Sequence, residues 1–488
     1  MRTLLALVLV FTTHFYSSLA ATASEWRNHS IYQLMTDRFA RPDGSLTAPC
    51  DPNERVFCGG TWKGIISRLD YISRMGFTAI WVSPIVEQSD GRTGVGEAYH
   101  GYWTRNLYAF NLKFGTERDF IDLVGAAHER GMLVMLDVVL NHFANPGETI
   151  QYQNLIPFNH ERYYHPKREI DWGSQPSIEN GWMGNGYLWL PDLNTEDKEV
   201  ADILVAWTKN VVSKYKIDGL RLDATRNIPM SFWKRICGEV GVYCQGEVWA
   251  SDVNIVCPYQ DSMDGLHNYP FKVAATEAFT SPNGNLSAFV QVAQHMRSQC
   301  KDVSLFGTFM ENHDNPRLGS ITTDPGRLRT LAVLNILSDG IPIVYYGQEQ
   351  MLTGANDPLN REALWHTHYS TANNLVPTFT RLNAFRRLLI SAASPTPFTY
   401  AVSTYHLLGT QVLNIRKGDV SLVLTNLGVA TDIVVPMFAA GEELLEVLSC
   451  RLLRADSMGQ IKLTLTGEPL VIYPRTRIAD SETTICGA

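Results

Sequence analysis

Short apolar runs of strand length alternate along the chain with longer stretches whose apolar residues recur every three or four positions. The runs are Ile31-Tyr32-Gln33-Leu34-Met35, Ala79-Ile80-Trp81-Val82, Leu133 to Val139 and Gly219 to Leu222, and Leu305 to Met310 and Ile341 to Tyr345 continue the series. Between them, Leu69 to Met75 and Phe120 to Arg130 carry helical spacing. Each is followed by a glycine, Gly76 and Gly131, where a helix C-terminus favours one. This alternation predicts repeated βα units on a parallel sheet, and eight such strands close a barrel.

The rhythm breaks twice. From 142 to 197 the chain is rich in Asn, Pro, Tyr, Trp and Gly without a clear period, too long for an ordinary connection, and reads as an inserted subdomain. Beyond about 395 the helical pattern stops and β-rich segments follow, such as Val412 to Ile415, Ser421 to Thr425, Ile433 to Val435 and Ile461 to Leu465. These predict a C-terminal antiparallel β-sandwich over 396–488, leaving 21–141 and 198–395 for a (β/α)8 TIM barrel of class α/β.

Composition narrows the partners. The 488 residues are 45% hydrophobic, room for two to four compact units. The 41 Lys and Arg are outnumbered by 49 Asp and Glu, giving a net charge of −8, and they form no basic stripe. Nucleic acid and anionic membranes are therefore not expected partners, and a neutral ligand and a monomeric state are. Arg2, the apolar run Leu4 to Phe11 and the small residues Ser17 to Ala21 fit a signal peptide over 1–20, cleaved after Ala20. Polar residues interrupt that run well before the roughly 20 apolar positions a membrane span needs. The reading is a secreted protein.

All eight cysteines follow that segment, an even number suited to an oxidising compartment. Close spacing makes Cys50–Cys58 and Cys237–Cys244 candidate local loops, while Cys257–Cys300 and Cys450–Cys486 would staple longer ones. No CxxC or paired His-Cys spacing points to zinc. Asn28-His29-Ser30 and Asn285-Leu286-Ser287 are glycosylation sequons.

Polar residues close several of the predicted strands, and in a parallel barrel those ends converge on one face. Four segments stand out: Asp137 to His142, Gly219 to Asp223, Gly246-Glu247-Val248 and Asn312-His313-Asp314. In this order, with Ala98-Tyr99-His100-Gly101-Tyr102-Trp103, Leu190-Pro191-Asp192-Leu193 and Asn356 to Arg361, the chain resembles the alpha-amylase family, glycoside hydrolase family 13, and its secreted fungal members in particular. The resemblance spans Trp26 to Cys486.

It implies retaining endo-hydrolysis of α-1,4 bonds in starch, glycogen and maltooligosaccharides, with Asp223 as nucleophile, Glu247 as general acid/base and Asp314 as transition-state stabiliser. Arg221, on the same strand face as Asp223, would keep that carboxylate ionised and is also expected among the substrate contacts. Like charge and the apolar Trp249 would keep Glu247 protonated. His142 and His313 would bind sugar hydroxyls and Tyr102 would stack beneath the ring. His100, Asp357 and Arg361 would fix the nonreducing side. A structural Ca2+ is implied on the side chains of Asn141 and Asp192 and the backbone carbonyls of Glu179 and Asn227, oxygen ligands that suit a hard cation.

The chain also departs from its relatives. Fungal members follow the nucleophile with a Lys-His pair on the leaving-group side, where this sequence has Arg226-Asn227, with Arg226 expected as the substrate contact there. Lys167 and Gly181 stand where a cysteine pair braces the inserted subdomain, so that subdomain should depend more on its metal. An altered acceptor side makes an α-glucan transglycosylase the alternative activity, since water and a second sugar attack the same covalent intermediate. A noncatalytic glucan-binding protein is the third reading, opposed by the three retained acids.

Overall fold

The computed structural model describes residues 21–372, 375–392, 394–478 and 485–487. The proposed signal peptide lies outside them. Eight short parallel strands form one sheet: β1 (Ile31–Leu34), β2 (Ala79–Val82), β3 (Leu133–Val138), β4 (Gly219–Leu222), β5 (Tyr243–Gly246), β6 (Gly265–Leu266), β7 (Gly307–Phe309) and β8 (Ile341–Tyr345). Neighbours in sequence are neighbours in space, and β8 returns to pair with β1. A bridge between His267 and Gly307 joins the remaining edges, and closure leaves no exposed strand edge.

Because each strand is covered by the barrel interior on one face and by helices on the other, most strand residues are buried and the runs read as continuously apolar. Alternate residues point inward. Ile31, Ala79, Trp81, Met135, Tyr243, Phe309, Ile341 and Ile343 form an inner cluster, closed at the base by Trp26, which is fully buried. The Trp26 indole donates to the Asp218 carbonyl at 3.1 Å and lies over Gly219. A Cβ at Gly219 would meet the ring at 2.7 Å, so only glycine fits there.

The outer helices start on side-chain caps. Thr61 accepts from Gly64 N ahead of Trp62–Arg74, Thr116 and Asp119 make a reciprocal capping box for Glu117–His128, and Asp197 caps Lys198–Tyr215. Gly76 and Gly131 follow two of these helices in the left-handed region, at φ 82° and 68°. Both helices begin earlier than their apolar spacing indicates, since their first turns are set by caps.

Two excursions leave the upper rim. One follows β2 as a hairpin of Val86–Gln88 with Thr104–Phe110. The other lies between β3 and helix Lys198–Tyr215, with three short strands and short helical turns. Its Phe143, Phe158, Tyr164, Trp182 and Leu193 are buried and continuous with the barrel's outer core. After helix Leu375–Ser391 the chain forms a six-stranded antiparallel sheet and a separate pair, Thr431–Val435 with Ile461–Leu465, enclosing Val423, Val435, Leu444 and Ile472. Buried Lys417 ties this domain to the barrel through Asp339 at 3.1 Å.

Disulfides join Cys50–Cys58, Cys257–Cys300 and Cys450–Cys486. The fourth candidate is not formed: the turn at Gly241 brings Cys237 and Cys244 into hydrogen-bonding contact, but both remain thiols. No described helix is long and apolar enough to cross a membrane.

Candidate active site

At the C-terminal ends of β4 and β5 the hydrogen-bond ladder runs one residue past each strand. Asp223 N donates to the Val138 carbonyl at 3.1 Å and Glu247 N to the Leu222 carbonyl at 2.9 Å. Both acids are therefore held in extended backbone with side chains on the inward face, two residues from Arg221 and Gln245 respectively. Register places Arg221 beside Asp137 of β3, and the Arg221 guanidinium then meets three carboxylates: Asp137 at 3.0 Å, Asp223 at 2.7 Å and Glu247 at 2.8 Å. Arg221 is fully buried. It was expected among the substrate contacts, but it does not line the cleft; it lies beneath the acids and sets their charge.

Glu247 also receives Tyr269 OH at 3.2 Å and Ala224 N at 3.2 Å. Ala224 adopts the left-handed region (φ 46°), turning the chain sharply after Asp223. Asp314 follows β7 by five residues, with its amide on Asn312 Oδ1 and its carboxylate 3.0 Å from His313 Nε2 and 3.4 Å from Arg361. Gln33 of β1 donates to His313 Nδ1 at 2.9 Å, and the Tyr102 ring stacks on His313 at 4.9 Å. Tyr102 OH donates to Asp137 at 2.7 Å. His100 stacks on Tyr102, His142 Nε2 meets the Tyr102 carbonyl, and Arg361 pairs with Asp357 at 3.0 Å.

These groups share one open cleft of about 540 Å³. His100, Tyr102, His142, Asp223, Arg226, Asn227, Glu247, Trp249, His313, Asp314, Asp357 and Arg361 line it, as do Trp103 and Trp172, which the motifs leave without a role. Asp137, Tyr269 and Gln33 likewise hold the site together without a role read from sequence. Asp137 stood inside a quoted motif, whereas nothing in the sequence marked Gln33 or Tyr269.

Burial raises both Asp223 and Glu247. Arg221 opposes the rise in each, and the other acids add to it, bringing Asp223 to about 6 and Glu247 to about 7. Trp249 has little part in this, being 52% exposed. Burial would also raise Asp314, but His313 and Arg361 outweigh it and hold that carboxyl well below the usual range. Burial lowers His100 strongly, with Arg361 adding to the effect, and lowers His142 to about 4, so both rings are neutral. The site thus offers a proton donor, a buried carboxylate and a second, firmly ionised carboxylate around one space.

Of the residues expected to hold a metal, Asn227 lines this cleft, while Asn141 and Asp192 are buried beside it. Asp192 pairs across an antiparallel bridge with His142, next to Asn141, whose carbonyl accepts Leu193 N at 2.9 Å. Asn227 Nδ2 donates to the Ile178 carbonyl, which brings it beside Glu179. Asp192 Oδ2 takes His165 Nδ1 at 2.7 Å, but Asp192 Oδ1 is buried with no partner among the described residues. That oxygen, the Asn141 amide oxygen and the backbone carbonyls of Glu179 and Asn227 would give an all-oxygen donor set, whose chemistry suits calcium. No cluster of three or more His, Cys, Asp or Glu that could hold a metal ion occurs among the described residues.

Residues 33–381 match the family model described as alpha amylase, catalytic domain, and residues 407–488 match alpha-amylase, domain C. The chain is 40% identical over 451 residues to the alpha-amylase mde5 of Schizosaccharomyces pombe, covering 92% of this chain and 87% of that one. It is 40% identical over 472 residues to alpha-amylase 2 of Schwanniomyces occidentalis, covering 95% and 93%. An alpha-amylase structure from Malbranchea cinnamomea superposes with a TM-score of 0.92 at 42% identity, covering 94% of this chain and 99% of that one. With the acids gathered on one rim of a (β/α)8 barrel, the chain belongs to the alpha-amylase family of glycoside hydrolases, family 13, in its fungal branch.

Proposed function

We propose that the protein is a secreted, monomeric, calcium-containing enzyme that cleaves internal α-1,4 bonds of starch-like glucans with retention. The observation that carries the reading is that Asp223 and Glu247 sit on the two terminal nitrogens of one buried guanidinium and open into one cleft. Double displacement needs two carboxyl groups about 5–5.5 Å apart. Asp223 attacks the anomeric carbon while Glu247, still protonated, gives its proton to the departing oxygen. Glu247, now ionised, takes a proton from water as the water oxygen bonds to the anomeric carbon, and the carbon's bond to Asp223 breaks to free the sugar and restore the carboxylate. Asp314, ionised throughout, binds ring hydroxyls most strongly as positive charge develops. His142 and His313 contact hydroxyls of the same sugar, and Tyr102 offers its ring face to the sugar's C–H face. Calcium, when bound, supplies structural cross-linking of the excursion after β3 to the rim.

Around the ring of strands, the loops after β8 and β2 carry Asp357, Arg361, His100 and Tyr102, whereas those after β4 and β5 carry Arg226 and Trp249 on the opposite half. The first group takes the nonreducing side and the second the leaving group. Exposure of Trp172 and Trp249 at 59% and 52% on this second side favours transglycosylation as the alternative, because a stacked sugar there competes with water. Incubation with maltopentaose separates the two. The hydrolase reading expects shorter chains only; products longer than the substrate as the main outcome would replace it.

A further inference from the structure

Gln175 opens the short helix Gln175–Asn180 of the excursion after β3, and it reaches back across the cleft wall to the loop after β4. Its Oε1 accepts Arg226 Nε at 3.2 Å, and its Nε2 donates to the Arg226 carbonyl at 3.0 Å, closing a two-point clasp on one residue. The same amide nitrogen reaches Glu179 Oε1 at 2.9 Å and Tyr259 OH at 3.1 Å, so the amide cannot turn without breaking contacts on three elements. Arg226 lines the cleft, and none of its terminal nitrogens has a hydrogen-bond or ion-pair partner among the described residues. An arginine free at its stem would lose much rotamer freedom on binding a sugar. One clasped at Nε presents its remaining donors as a fixed fork, matched to a pair of neighbouring hydroxyls.

We infer that Gln175 is a positioning residue that holds Arg226 toward the leaving-group sugar, and so sets how well an α-glucan acceptor occupies that side of the cleft. The inference rests on reading the cleft as an α-glucan site.

Its test compares two substrates. Maltopentaose places sugar against Arg226, whereas a nitrophenyl α-maltotrioside places there a leaving group without hydroxyls. Gln175→Ala should lower the ratio of kcat/KM for maltopentaose to kcat/KM for the aryl substrate by about 5-fold or more, the scale of one lost hydrogen bond. It should also reduce the share of any products longer than the substrate. Gln175→Met keeps the side chain's length without its polar atoms and is expected to do the same if the alanine variant folds poorly. In an Arg226→Ala background either change should leave the ratio where Arg226→Ala put it. A merely structural role would lower both constants in step, or lower the ratio equally in both backgrounds, and either result overturns the inference. If the parent enzyme turns over neither substrate, the glucanase reading fails separately. The clasp is then read by calorimetry, where an unchanged maltopentaose Kd in Gln175→Met refutes it and a Kd raised about 5-fold supports it.

Discussion

One guanidinium, that of Arg221, serves Asp137, Asp223 and Glu247, and their burial makes its position decisive. With the two catalytic acids raised to about 6 and about 7, kcat/KM should follow a narrow bell. Activity falls below about pH 6 as the nucleophile takes a proton, and above about pH 7 as the donor loses its own; the two limbs belong to the coupled pair. Glu247→Gln should cost about 10³-fold in kcat and abolish the alkaline limb, since an amide has no proton to lose. A near-normal rate in that variant would remove Glu247 from the mechanism. Arg221→Lys keeps the charge but cannot span two carboxylates, so its acid limb should move upward and kcat fall, as a pH–rate series would record. Sequence made the acids themselves legible through the ordered motifs that carry the family resemblance, of which only Asp223 directly ends an apolar run. It placed Arg221 beside Asp223 but did not reveal that the guanidinium also meets Asp137 and Glu247 and stays off the cleft wall, because whether a strand-end cation faces substrate or core depends on what its neighbours in the ring place above it.

At the scale of elements, the barrel was readable where strands were long enough to show an apolar run. Gly265–Leu266 was not, since two residues carry no pattern, and its place is set by the Asp264 carboxylate on Cys244 N and by the ladder to β5. In the C-terminal domain Arg451–Arg454 is largely exposed, so alternation gave no signal there. The excursion carrying His100 and Tyr102 folds as an irregular hairpin whose register shifts conceal the period of two. Trp26 shows the converse: a residue ahead of the first strand, with no periodic context, closes the inner core. Trp26→Ala should remove about 3–5 kcal/mol of stability by leaving a cavity against Gly219 and Tyr243. Chemical denaturation would measure it as a lowered midpoint with an unchanged slope. Because Trp26 lies at the barrel's base, the variant's pH–rate bell should keep its position.

For the whole molecule, the question is what holds the excursion after β3 against the rim. Its own buried aromatics are continuous with the outer core, so it has more apolar anchorage than its composition indicated. Yet where fungal relatives carry a bracing cysteine pair it has Lys167, paired loosely with Glu148 at 3.8 Å, and Gly181. Beside the contacts of Gln175 with Arg226 and Tyr259, the proposed calcium ligands Asn141, Asp192 and the Glu179 and Asn227 carbonyls would supply a further cross-link. Leaving Asp192 Oδ1 buried and unpaired is costly, and a bound cation converts that cost into attraction. An ion present at about a thousand times its Kd adds about 4 kcal/mol to the folded state. Unfolding entropy for a chain of this length is about 1 kcal/mol per kelvin, so stripping calcium with a chelator should lower Tm by about 4 °C. Calcium should restore it, and magnesium should not, because magnesium keeps its waters and demands a stricter octahedron. Asp192→Asn should lower Tm on its own and lose the response to chelator. Scanning calorimetry with and without chelator measures all three. A Tm indifferent to chelation in protein shown by elemental analysis to have lost its calcium would mean that apolar packing alone holds the excursion, and that the lone carboxylate oxygen of Asp192 is satisfied by other means.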